Sequence, residues 1–276
     1  MPTRMRTPGF RIIWLVIPAA LAACTDLSAV REWSTTSMQA AQFNEIVGTY
    51  KDTPQRLAAY DPGGATLWQQ QAQVRAQQAE ALELQLDLVA EYMGSLAALS
   101  ADSAADYSKD VGKLTSALGD TGQVSSATVG AVGKLVETLL NAAAQAWQKR
   151  KVGQLIAEAN PPLQEILGGE LHAIVDRDFR RDIEIEAEFL DRYFEDLLRN
   201  GGGSAAANAA LGEWFVLRRE ENARRASAVD AYLRVLEKIA EGHQKLFDGR
   251  NDLDAVGLAK DLFKLAKEIR SNVKDI

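Results

Sequence analysis

The chain has 276 residues, 47% hydrophobic and 25% charged, with 38 acidic against 31 basic side chains and a net charge of −7. That balance excludes a disordered chain and argues against nucleic acid, or a flat bed of anionic lipid, as partner, because both are held chiefly by Lys and Arg. A single cysteine excludes an intrachain disulfide.

In chain order, the first element is an export signal. Arg4, Arg6 and Arg11 are followed by an unbroken apolar run at 12–23, a charged region and a hydrophobic region of signal-peptide proportions. The run is short of the roughly 20 apolar residues that a transmembrane helix needs, and Pro18 weakens it further. It ends in Leu21-Ala22-Ala23-Cys24, with the lone cysteine directly after small residues.

This stretch resembles the lipobox of bacterial lipoproteins. The resemblance covers residues 1–25 and implies acylation of the Cys24 sulfur, cleavage before it, and a membrane-lipid partner reached through the acyl chains. It also implies sorting to the periplasmic face of the outer membrane, because Thr25 rather than an aspartate follows the cysteine. The expected organisation is a signal peptide at 1–23, an acylated cysteine and polar tether at 24–34, and one domain at 35–276. An ordinary signal peptide cut at Ala23 and an uncleaved anchor are the alternative readings.

The remainder reads as helix punctuated by turns at Asp61-Pro62-Gly63-Gly64, Gly119-Asp120-Thr121-Gly122, Asn200-Gly201-Gly202-Gly203-Ser204 and Asp248-Gly249-Arg250-Asn251. Asn160-Pro161-Pro162 is expected to stop one helix and start another. Between these marks apolar residues step by threes and fours: Leu82, Leu86, Val89, Met93, Leu96; Val129, Val132, Val136, Leu139, Ala143; Ile183, Ala187, Leu190, Phe194, Leu197; Tyr232, Val235, Ile239, His243, Leu246; Leu258, Leu262, Leu265, Ile269. Such spacing puts one apolar seam on each helix. The predicted fold is all-α, an elongated antiparallel bundle of about five to six long helices with coiled-coil-like packing. Seams of this kind can pack within one chain or between copies, so a homo-oligomer stays open.

Chemistry-bearing residues are sparse. His172 and His243 lack a carboxylate three residues earlier, where Gly169 and Ala240 stand, so the Glu-x-x-His pairing of metal bundles is not met. His172 could pair locally with Asp176, and His243 falls on an apolar seam. The acidic run from Asp182 to Asp196 has Arg177, Arg180, Arg181 and Arg192 close by and is expected to be a solvated, salt-bridged face. No catalytic set, metal site or cofactor is expected.

Residues 124–147 are the most apolar stretch, with Lys134 and Glu137 its only charges, and Gly130 and Gly133 suggest close helix approach. Its architecture is similar to the apolar hairpin of helical-bundle pore-forming toxins of the cytolysin A type. Val129, Val132 and Val136, with Trp147 and the basic cluster Lys149, Arg150 and Lys151, are the candidate contacts to a membrane or partner; a buried central helix is the competing reading. The functional expectation is a non-enzymatic envelope interaction module with a protein partner. A membrane-active bundle, or a carrier for lipid or small molecules, is the alternative.

Overall fold

In the computed structural model, residues 27–43, 45–101, 116–144, 152–201 and 203–276 are described. All regular structure among them is helical: α1 (Ser28–Ala41), α2 (Glu45–Lys51), α3 (Thr53–Tyr60), α4 (Ala65–Leu99), α5 (Ser126–Ala144), α6 (Val152–Glu165), α7 (Arg180–Asn200), α8 (Ala205–Asp248) and α9 (Val256–Val273). The expected all-α bundle forms, with a different division of helices. The segment before Asp61 is cut into three short ones, and Pro54 begins the last of these, in a first turn where a missing N–H costs nothing.

The seams bury as the spacing requires. Leu82, Leu86, Val89, Met93 and Leu96 are all buried, as are Tyr232, Val235, Ile239, His243 and Leu246. Each fully buried Leu, Ile or Val contributes about 1.5–3 kcal/mol of transfer free energy, and this holds the helices side by side. Neighbours run antiparallel. Arg180 meets Asp230 and Arg219 meets Asp191 across α7 and α8; Lys245 meets Asp261 and Lys238 meets Glu268 across α8 and α9. With 44 residues, α8 spans about 66 Å.

Three expectations need correcting. Helix α1 starts at Ser28, inside the stretch read as a polar tether, and buries Val30 and Trp33 completely. Its mixture of Ser, Thr and charged residues hides the seam, and the Trp33 indole is seated against Gly242 of α8. Pro161 and Pro162 lie inside α6 rather than at its start. The two lost N–H groups are outweighed by packing, since Leu155, Ile156, Ala159, Pro162 and Leu163 are all buried. Among the described residues Gly130 and Gly133 have no close neighbour: a Cβ at either would meet no described atom within 4 Å.

From Val152 to Asn200 the chain is one helical run with two π-helical segments, Ile166–Glu170 and Ile174–Phe179, and a kink at Gly169 (φ −90°, ψ −109°). A π turn inserts an extra residue and rotates the seam. Beyond the second one, Asp182 and Glu186 are turned toward the interior.

Candidate functional site

Two buried polar clusters and one exposed end distinguish this bundle. The first cluster grows from Asp182 and Glu186, one turn apart on α7 and therefore on one face. Glu186 is 1% exposed. Arg56 of α3 donates Nε–H to both of its carboxylate oxygens, at 3.2 and 3.0 Å, and Arg225 of α8 donates from Nη2 at 2.5 Å. The rest of the Arg56 fork is used by the Thr49 carbonyl and the Thr53 hydroxyl. Asp182 takes a two-pronged contact from Arg75 of α4, at 2.9 Å on each oxygen. Arg75 also donates to the Tyr50 hydroxyl and to Gln78 Oε1, and its guanidinium sits 4.8 Å from the centre of the Tyr50 ring. Burial pushes the Tyr50 hydroxyl well above its ordinary value despite Arg75, so it stays a neutral donor. Carboxylates held by guanidinium groups from other helices lock those helices together.

The second cluster is deeper. His243 is fully buried, with Nε2 2.6 Å from the Tyr92 hydroxyl and Nδ1 2.8 Å from Asn160 Oδ1. The Asn160 amide donates to Gln244 Oε1, and Gln164 donates to the Ala240 carbonyl and to Asn160 Oδ1. Because Asn160 Oδ1 only accepts, the consistent assignment has Nδ1 protonated and Tyr92 donating to Nε2. Burial holds the imidazole down to about 3, so it is neutral. The network joins α4, α6 and α8.

The exposed end is the α7–α8 hairpin. From Ala205 to Glu221 no residue of α8 is buried, although the stretch includes Trp214, Phe215, Val216 and Leu217. Phe194 anchors this stretch, with ring centres 4.7 Å from Trp214 and 4.8 Å from Phe215. Trp214, Val216 and Leu217 stay exposed, as does Leu198 on α7. Below the hairpin, Tyr60, Asp61, Phe189, Arg192, Tyr193 and Asp196 line a groove of about 450 Å³.

Of the sequence-predicted contacts, Val132 and Val136 are buried within the bundle and Val129 is half-buried. Cys24, Trp147, Lys149, Arg150 and Lys151 lie outside the described residues. His172 sits 4.0 Å from Glu237 of α8 rather than pairing with Asp176, which is taken by Arg180. The acidic run is not uniformly solvated: Glu184 and Glu188 are exposed, but Asp182 and Glu186 are buried on arginines from three other helices. Arg56, Arg75 and Arg225 gave no sequence signal, since the first two meet partners more than a hundred residues away.

Among the described residues, no group of His, Cys, Asp or Glu is placed to hold a metal ion, and no helix is long and apolar enough to cross a membrane. Comparison with protein-family models, with curated proteins and with solved structures finds no match for the chain.

Proposed function

We propose that the protein is a lipid-anchored component of a bacterial envelope, tethered through acylated Cys24, that acts as a non-enzymatic interaction module and presents the tip of the α7–α8 hairpin to a protein partner. The observation that carries the reading is the exposure of Leu198, Trp214, Val216 and Leu217 on a helix pair that buries nothing from Ala205 to Glu221. Contiguous exposed apolar groups on a rigid element are the usual mark of an association site, and a helix pair completes its packing most readily with further helices. The charged region, hydrophobic run and lipobox-like end of residues 1–24 supply the anchor.

Two measurements test the parts separately. Mass spectrometry of the N-terminal peptide from envelope preparations is expected to show diacylglyceryl-modified Cys24, lost in Cys24→Ser; an unmodified thiol rejects the anchor. A photo-crosslinker at position 217 is expected to capture one reproducible envelope protein, and a crosslinker at exposed Glu83 none. Equal labelling at both sites, or none at 217, rejects the hairpin as the contact.

A further inference from the structure

We propose that the groove between the Pro62 turn and α7 binds an alkylammonium group against the rings of Tyr60 and Tyr193, beside the carboxylates of Asp61 and Asp196. The two rings line the same groove, with centres 5.8 Å apart and planes inclined at 59°. Aromatic faces hold a cation at up to about 6 Å from the ring centre, so rings whose own centres are this close can be reached by one group.

The charges around that point agree. Asp61 accepts a hydrogen bond from the Trp68 indole at 3.0 Å, and Asp196 accepts from the Asn200 amide at 2.5 Å. Both donors are uncharged, and neither carboxylate has a cationic partner among the described residues. The one cation lining the groove is already engaged: the Arg192 guanidinium lies 4.5 Å from the centre of the Phe189 ring and donates to the Glu188 carbonyl. It shows how the adjoining aromatic face is used. The groove lining itself holds two carboxylates against one arginine, and about 450 Å³ is ample for a small organic cation. Aromatic rings beside carboxylates select a methylated or primary ammonium over a neutral group of the same shape. The group could come from a free compound such as choline or from a lipid headgroup; the recognising chemistry is the same. This inference is independent of the hairpin contact.

The test uses the full chain in a maltoside detergent and follows the Trp68 indole N–H by NMR, assigned with Trp68→Phe, because that N–H sits on Asp61. Choline is expected to shift it saturably, whereas 3,3-dimethylbutan-1-ol, the uncharged isostere, should need concentrations about ten-fold higher or more. Tyr193→Leu and Asp196→Asn should each weaken choline about five-fold or more, with thermal melting of Asp196→Asn unchanged. Competition of phosphatidylcholine in mixed micelles with choline would assign the ligand to a lipid headgroup; choline binding without such competition would assign it to a soluble ammonium compound. No saturable shift with choline, equal response to the neutral isostere, or choline binding unaltered in both variants would overturn the proposal.

Discussion

His243 and Tyr92, 151 positions apart in the chain, share a 2.6 Å hydrogen bond in the dry centre of the bundle. With Asn160 on the other imidazole nitrogen, the pair fixes how α4, α6 and α8 meet. It also makes stability depend on pH. The imidazole is held at about 3 in the folded chain against 6.5 when free, so the unfolded state binds the proton first. The contribution is complete above about 6.5 and is lost progressively as the pH falls toward about 3. Between pH 7 and 4.5 the loss from this group is on the order of 2–3 kcal/mol. His243→Leu removes that component. Denaturant unfolding at several pH values should show a shallower acid slope for the variant, alongside a cost at neutral pH of about 2–4 kcal/mol from the stranded Tyr92 and Asn160 groups. Parallel acid slopes in the two proteins would rule out His243 as the sensor.

Removing Glu186 strands two guanidinium groups, Arg56 and Arg225, in a cluster that already holds more arginine than carboxylate. Glu186→Ala should cost about 3–5 kcal/mol, measured by urea unfolding. Exposed Glu184→Ala, two residues away, should change stability by no more than about 0.5 kcal/mol. A similar cost for both would mean that the buried cluster does not exist as described.

The glycines separate close contact from open space. A Cβ at Gly242 would overlap the Trp33 indole, so Gly242→Ala should push α1 from its seat, cost about 1–3 kcal/mol and shift tryptophan emission to the red. Gly130→Ala on α5 meets no atom of the described residues and should stabilise by about 0.5–1 kcal/mol through higher helix propensity. Calorimetric melting decides both signs.

At the hairpin, exposure and anchoring can be told apart. Leu217 is 47% exposed and Phe194 only 1%. Leu217→Ser should leave unfolding unchanged within about 0.5 kcal/mol and abolish crosslinking at the tip. Phe194→Ala should lower stability by about 3 kcal/mol or more, because Trp214 and Phe215 lose the ring they pack on. Loss of stability in Leu217→Ser would mean that the face is structural.

Period and punctuation determined much of this protein by themselves. Apolar residues stepping by threes and fours from Leu82 to Leu96 and from Tyr232 to Leu246 can be buried only as helix seams, and Gly-rich or Asp-Pro-Gly turns mark where a helix must end. Even His243 was legible as a core residue, because it occupies a seam position. These signals are local: they depend on neighbours within a turn or two. What the tertiary structure decided were matters of partner and direction. Asp182 and Glu186 read as part of a solvated acidic run, and only the π-helical segments before them and the arginines of α3, α4 and α8 turn them into a buried cluster. Trp33 looked like tether until Gly242 provided its seat. Trp214 to Leu217 resemble any other apolar stretch in sequence; only the packing shows that nothing in the described bundle covers Val216 and Leu217. Burial depends on which helices arrive from elsewhere in the chain, and no local pattern encodes that.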